Sequence, residues 1–108
     1  MVYTIEQIKE RIAPVARKHK LRAVWVFGSY ARNEADESSD IDFLIDRTGS
    51  DIRTLFQMGG VYNDFSEAVE KHIDLVTTTG LEQESTKIMS PELIKNVYNE
   101  RKIIYERQ

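Results

Sequence analysis

The chain has 108 residues, of which 41% are hydrophobic and 31% charged, with a formal net charge of −3. These values predict a single folded domain over residues 1–108, and the negative charge disfavours direct nucleic-acid binding. The absence of cysteine excludes disulfides, thiolate metal sites and a cysteine nucleophile. Because no apolar run approaches a membrane span and Met1–Arg11 lacks a signal-peptide pattern, we expect a cytoplasmic protein with no membrane partner.

The first elements predicted along the chain are a helix and a buried strand. Apolar residues recur at three- and four-residue steps over residues 4–19, and Thr4 with Gln7 forms a capping-box pattern at the start. Pro14 should kink or end the regular helix nearby, because its ring blocks a backbone hydrogen bond. The continuous apolar run within Arg22–Gly28 predicts a strand that is covered on both faces.

A second strand follows after a turn. The Gly28–Ser29 pair ends the first strand, and a short helix is predicted over residues 30–35. Apolar and acidic residues alternate over Asp40–Asp46, which predicts a strand with Asp40 and Asp42 on the same face.

The rest of the chain continues to alternate helices and strands. A helix is predicted from an apolar stripe at Leu55, Met58, Tyr62, Phe65 and Val69. Gly59 and Gly60 lie inside it, so either the backbone is approached closely there or the helix is interrupted. Strands are predicted over Ile73–Thr78 and Lys102–Glu106, with a helix that starts at Ser90–Pro91. The alternating order fits an α/β or α+β sandwich with helices packed on one small sheet.

Carboxylates on the predicted strands are the candidate chemistry. Asp40 and Asp42 point the same way, so they repel and raise each other's pKa unless a cation joins them. Mg²⁺ is the natural candidate, since it prefers oxygen ligands. Asp74 opens the third strand and joins the pair if the two strands are neighbours. Three carboxylates can hold two metal ions for a phosphoryl displacement, and Asp74 could also accept a proton from the acceptor hydroxyl.

The turn after the first strand supplies groups that suit a phosphate. Gly28 lets the backbone approach an anion, and free N–H groups at a helix start favour it. Ser29 adds a hydroxyl donor, and Arg32 could bond a phosphate oxygen or a diphosphate leaving group. Each of these features taken singly is more often structural, so their combination and order carry the interpretation.

The segment Gly28–Ala35 followed by Ser39–Asp42 resembles the signature of the DNA polymerase β-like nucleotidyltransferase superfamily. In that signature a Gly-Ser pair is followed, after ten residues, by Asp-x-Asp, and here residues 30–39 form the spacer. The resemblance looks closest to the minimal nucleotidyltransferase (MNT) group and implies the polymerase β-like fold. The family often has Gly after the arginine, where this chain has Asn33, which tolerates a left-handed backbone.

The resemblance also implies roles and partners. Asp40, Asp42 and Asp74 would hold Mg²⁺ as the catalytic carboxylates, with two ions expected, while Gly28, Ser29 and Arg32 would hold the triphosphate of ATP. Many MNT proteins act as antitoxins of a helical HEPN toxin. The family therefore implies transfer of AMP from ATP to a tyrosine of such a partner.

Two other functions stay open at this point. The chain could neutralise a HEPN toxin by stoichiometric binding, without needing catalysis. It could also be a small-molecule nucleotidyltransferase, for example one that acts on an aminoglycoside. The three retained aspartates favour catalysis over pure binding, and the short chain disfavours the antibiotic-modifying class.

Overall fold

The computed structural model describes residues 2–83 and 91–107, and this part of the chain contains four helices and four strands. In chain order they are α1 (Ile5–Lys18), β1 (Ala23–Phe27), β2 (Ile41–Asp46), α2 (Leu55–Val69), β3 (Ile73–Thr77), α3 (Thr78–Leu81), α4 (Pro91–Glu100) and β4 (Lys102–Glu106). The described helices include none that is both long and apolar enough to cross a membrane.

The four strands form one mixed sheet in the order β3-β2-β1-β4. Strand β1 is antiparallel to both β2 and β4, whereas β2 and β3 are parallel and connected through α2. This small mixed sheet with helices confirms the predicted α/β (α+β) class. The parallel pairing matters for function, because it aligns the beginnings of β2 and β3 at the same edge.

Helices α1 and α2 cover one face of the sheet and enclose the larger core. Phe43 of β2 meets Phe65 of α2 edge-to-face, with ring centroids 5.1 Å apart. Tyr3 donates its hydroxyl hydrogen to the carbonyl of Val69 at 2.8 Å, which joins the chain start to the end of α2. Fully buried members of this core include Ile8, Ile12, Val24, Val26, Ile41, Ile45, Val61 and Val69.

Helices α3 and α4 lie on the opposite face over a much smaller apolar cluster. Its buried members are Phe27, Leu44, Leu81 and Val97. Next to this cluster, the Arg101 guanidinium lies 4.5 Å from the ring centre of Trp25 and 4.6 Å from that of Tyr98. This face therefore combines a thin apolar layer with polar and charged groups.

The first helix agrees with its predicted start and continues past Pro14. Thr4 and Gln7 form the capping box, with both reciprocal hydrogen bonds present. Helix α1 continues through Pro14 to Lys18, as the predicted span of residues 4–19 requires, so of the two predicted effects of the proline, an end of the helix does not occur. Burial of Ile12 and Ala16 on either side of the proline offsets the hydrogen bond that it cannot donate.

The segment after β1 is a series of turns rather than the helix predicted over residues 30–35. Turns extend over residues 28–33, and Asn33 has a positive φ of 60°. A left-handed residue cannot continue an α-helix, which explains why that prediction was wrong. The positive φ of Asn33 confirms that asparagine adopts the left-handed conformation at the position where the family often has glycine.

Helix α2 is continuous through its two glycines, so neither predicted alternative for them holds. A Cβ added at Gly59 or Gly60 would meet no atom within 4 Å, which excludes a close approach of another part of the described chain. The predicted apolar stripe is also shifted, because Leu55 is 91% exposed while Val61 is fully buried. The predicted helix start at Ser90 lies outside the described residues, and α4 begins at Pro91.

Candidate active site

A cleft of about 480 Å³ opens on the sheet face that α4 covers. All six site residues predicted from the sequence line this cleft. These are Gly28, Ser29, Arg32, Asp40, Asp42 and Asp74. Helix α4 contributes another wall, through Leu93, Asn96, Val97 and Glu100. The tertiary structure therefore brings the predicted carboxylates and the predicted phosphate-binding turn into one cavity.

Strand pairing explains why the carboxylates converge. Asp42 on β2 lies directly opposite Asp74 on the parallel strand β3, and opposite Phe27 on the antiparallel strand β1. Residues in register on neighbouring strands project to the same face, so the two aspartates become adjacent. The turn at Gly28 follows Phe27 and therefore begins beside Asp42.

The carboxyl group of Asp42 is electrostatically strained in the absence of a cation. Burial raises its pKa to about 7, together with a hydrogen bond to Asp74 and the negative charges of Asp74 and Asp40, while Arg32 opposes the rise. The ordinary value for an aspartate is about 3.9. A divalent cation would offset the repulsion between these two adjacent carboxyl groups, which otherwise share a proton.

Asp40 lines the same cleft but lies one residue before β2, where it is exposed. Within residues 2–83 and 91–107, no three acidic or imidazole side chains are grouped closely enough to ligate one metal ion. Mg²⁺ commonly binds through one or two carboxylates and completes its shell with water and substrate phosphates. The all-oxygen pair of Asp42 and Asp74 fits that pattern, with Asp40 available in the same cleft.

Gly28 is required by the packing of the turn against β2. Its φ is +73°, a conformation that strains any residue with a side chain, and a Cβ there would collide with the carboxylate of Asp42. The sequence indicated that a glycine would allow close approach to a phosphate. The structure adds that this glycine also makes room for the Asp42 carboxylate.

Arg32 reaches the cleft in contact with two acidic side chains. Its Nε donates to Glu34 at 3.1 Å, and its Nη1 donates to the two carboxylate oxygens of Glu100 at 3.1 and 3.2 Å. Hydrogen bonds to Glu34 and then to Glu100 raise the pKa of the guanidinium. The side chain is 44% exposed, so it remains accessible to a ligand in the cleft.

Sequence reasoning missed Glu100, which also accepts a hydrogen bond of 3.1 Å from the backbone N–H of Gly28. Glu100 is the last residue of α4, where the helix dipole disfavours a negative charge. An acidic residue at a helix C-terminus was thus a local signal that the side chain has a partner elsewhere. Its partners lie about 70 positions earlier in the chain, so no local pattern could identify them.

Three other residues whose side chains could carry chemistry lie outside the cleft. His19 caps α1 and its ring Nε2 lies 2.7 Å from the Asp64 carboxylate. Asp46 lies 3.7 Å from Arg22, at the far end of β2 from Asp40. Tyr30 is buried against the larger core.

Comparison with known proteins connects this site to a family. A family model described as "Polymerase beta, Nucleotidyltransferase" matches residues 10–108. A protein of Methanocaldococcus jannaschii named "Putative protein adenylyltransferase" is 36% identical over 73 residues, covering 68% of this chain and 76% of the relative. A second protein of that organism with the same name is 35% identical over 82 residues, covering 72% and 82%.

Solved structures share the fold at lower identity. A toxin–antitoxin crystal structure with AMP-PNP contains a chain with TM-score 0.68 and 22% identity, covering 93% of this chain and 74% of that chain. A complex of tri-AMPylated Shewanella oneidensis HEPN toxin with MNT antitoxin gives TM-score 0.63 and 20% identity, with coverage of 96% and 74%. Both comparisons confirm the predicted nucleotidyltransferase fold.

Proposed function

Because the chain belongs to the polymerase beta nucleotidyltransferase family, we propose that it is a protein adenylyltransferase that transfers AMP from ATP to a tyrosine of a HEPN-type toxin. In this role it acts as the antitoxin of that toxin. The relatives named as adenylyltransferases support the reaction class, and the structural neighbours from HEPN complexes support the partner class.

The observation that carries the proposal is the convergence of the acidic groups and the predicted phosphate-binding turn in one cleft. Asp42 and Asp74 lie side by side across two parallel strands, and the Gly28–Ser29 turn adjoins them. Nucleotidyl transfer needs anion donors for the triphosphate next to carboxylates that hold a cation.

The proposed reaction assigns a role to each group in the cleft. Asp40, Asp42 and Asp74 would hold Mg²⁺, with two ions proposed, and bound Mg²⁺ offsets the negative charge of the triphosphate. Ser29 and Arg32 position the phosphate chain. The tyrosine oxygen bonds to the α-phosphorus, the bond from that phosphorus to the bridging oxygen breaks, and diphosphate leaves.

The hydroxyl proton of the acceptor also needs a destination. Asp74 lies at the start of β3, is exposed, and lines the cleft beside Asp42. It is therefore proposed to accept the proton as the tyrosine oxygen attacks. An unperturbed tyrosine has a pKa of about 10, so removal of its proton by a nearby carboxylate assists the attack at neutral pH.

The exposed wall of the cleft suits a protein acceptor. Leu93 of α4 lines the cleft and is 49% exposed, which leaves an apolar side chain beside the carboxylates without full cover. The cleft lies on the side of the sheet with the smaller apolar cluster. A partner surface that packs on Leu93 would shield the reacting groups from water and present its tyrosine to them.

The test is incubation of the protein with ATP, Mg²⁺ and its HEPN-type partner, with intact mass as the readout. We expect the partner to gain one or more AMP masses and to lose toxicity. The doubly substituted variant Asp40→Ala/Asp42→Ala should form the complex without transfer. Asp46→Ala is the matched control, because it removes a carboxylate on the same strand outside the cleft and should leave transfer intact.

Other outcomes identify the alternatives. A stable complex that silences the toxin with no mass gain, in both wild type and the double variant, would identify a stoichiometric binder. Absence of both complex and transfer would redirect the search to small-molecule acceptors such as aminoglycosides. Transfer that persists after chelation of divalent cations would contradict the proposed dependence on Mg²⁺.

A further inference from the structure

Glu100 makes an unusual set of contacts for a side chain at a helix end. Its Oε1 accepts from the Gly28 backbone N–H at 3.1 Å and from Arg32 Nη1 at 3.1 Å, and its Oε2 lies 3.2 Å from the same Nη1. The side chain is 22% exposed and lines the cleft. A single carboxylate thus bridges the glycine turn and the guanidinium that are proposed to bind the triphosphate.

The Gly28 N–H and the Arg32 guanidinium have few hydrogens to donate. The N–H of Gly28 has one hydrogen to donate, and in this structure it is directed to Glu100. Among the described residues that line the cleft, Arg32 is the only cation, and its hydrogen bonds to Glu34 and Glu100 both end on carboxylates. A phosphate oxygen that used the same donors would have to replace the Glu100 carboxylate.

We propose that Glu100 sets the nucleotide affinity of this cleft by occupying the place of a phosphate oxygen, and that the triphosphate displaces it. The inference rests on the proposed function, since it takes ATP as the ligand. A carboxylate and a phosphate oxygen are both anionic acceptors with similar hydrogen-bond preferences, so each competes for Gly28 N–H and Arg32. Removing the carboxylate charge therefore strengthens nucleotide binding.

The net charge of the cleft also predicts that nucleotide binding becomes tighter when the charge of Glu100 is removed. Asp40, Asp42, Asp74 and Glu100 line it together with one arginine. A neutral side chain at position 100 frees Arg32 to face the phosphates and removes one repelling charge. Because hydrogen bonds to charged groups are stronger than those between neutral groups, loss of one competing contact should tighten binding by at least about tenfold.

The experiment measures binding of α,β-methylene-ATP, which cannot transfer AMP, to the full chain by calorimetry with Mg²⁺ present. Glu100→Gln keeps the shape of the side chain and removes its charge, and Glu100→Ala removes the carboxylate altogether. Both should bind at least about tenfold more tightly than wild type. Circular dichroism and thermal unfolding verify that each variant is folded.

Two controls separate the specific contact from a general change in charge. Glu92→Gln removes an acidic charge from the first turn of the same helix, outside the cleft, and should leave the affinity unchanged. In an Arg32→Ala background, Glu100→Gln should give much less tightening, because the guanidinium that it releases is gone. An equal gain in that background, or with Glu92→Gln, would overturn the proposal.

The remaining outcomes are also decisive. Unchanged or weaker binding by both Glu100 variants, with wild type binding normally, would show that Glu100 only supports the turn, and the proposed function would stand. If neither wild type nor the variants bind the analogue, the proposed nucleotide site is wrong and this inference fails with it.

Discussion

The two faces of the sheet differ in what covers them and in what they do. The face under α1 and α2 holds a large apolar core that includes Phe43 and Phe65, both fully buried. Among the described residues, the face under α3 and α4 has four buried apolar side chains, and it opens into the acidic cleft. Stability and chemistry are thus separated, with unfavourable charge clustering tolerated because the opposite face supplies most of the apolar burial.

The strongest test of this separation is a pair of core truncations. Phe65→Ala removes an aromatic side chain from the larger core and should lower the free energy of unfolding by about 3–5 kcal/mol. Val97→Ala, in the smaller cluster, deletes two methyl groups and should cost only about 2 kcal/mol. Urea unfolding followed by circular dichroism measures both. Equal losses would contradict the division into a major and a minor core.

On the sheet face that holds the cleft, we expect substitution of Gly28 to lower activity strongly. Gly28→Ala places a Cβ against the Asp42 carboxylate at a positive φ, so the turn or the aspartate must move. Displacement of either group should lower adenylyl transfer roughly 100-fold. Gly60→Ala is the matched control, because its Cβ meets nothing and alanine favours a helix by up to about 1 kcal/mol. Retained activity in Gly28→Ala would show that the turn does not position the nucleotide.

The pKa of Asp42 predicts a stability that depends on pH in the cation-free protein. Its folded-state pKa is raised to about 7, so the folded state binds the proton more tightly than the unfolded state. Wild-type stability should therefore fall as the pH rises from about 4 to about 7. Asp42→Asn removes this effect, and because the site is partly solvated we expect a gain of about 2 kcal/mol at pH 8.

Chemical denaturation with EDTA at pH 4.5 and pH 8 tests that expectation. The advantage of Asp42→Asn should be present at pH 8 and nearly absent at pH 4.5. Asp46→Asn serves as the comparison, because Asp46 lies outside the cleft and pairs with Arg22. A gain of the same size at both pH values would show that packing, not charge, explains the stabilisation.

The smallest expected change in stability concerns a charged contact between α1 and α2. Asp64 of α2 accepts from Lys18 Nζ at 2.9 Å and lies 2.7 Å from His19 Nε2, which joins the end of α1 to α2. The hydrogen bond from Lys18, then that with His19, lowers the pKa of Asp64. Its stabilisation is therefore present above the ordinary carboxyl pKa and is lost as the pH falls through the lower folded-state value.

Asp64→Asn should cost about 0.5–1 kcal/mol at pH 7, since the pair is partly exposed. The difference from wild type should shrink in acid. Asp51→Asn, which changes a carboxylate that is 82% exposed and 3.4 Å from Lys20, should have almost no effect. Thermal unfolding of the three proteins at pH 7 and in acid would measure this, and a larger loss in acid would contradict the assigned sign.

The sequence by itself determined most of the local structure and the list of candidate groups. Apolar periodicity predicted α1, α2 and the strands, because burial of one helix face or of a strand requires that spacing. The spacing from Gly28–Ser29 to Asp40 and Asp42 predicted the candidate site through a local motif. The resemblance that this motif carries is confirmed by the family match over residues 10–108.

Only the tertiary structure decided which distant residues meet. The β2–β3 pairing placed Asp74 beside Asp42, and α4 brought Glu100 to Gly28 and Arg32. Local pattern also misjudged the glycines of α2 and left open whether Pro14 ends α1, because packing and exposure override intrinsic preference. Contacts between residues far apart in the chain depend on how the elements pack together, and no local propensity encodes that packing.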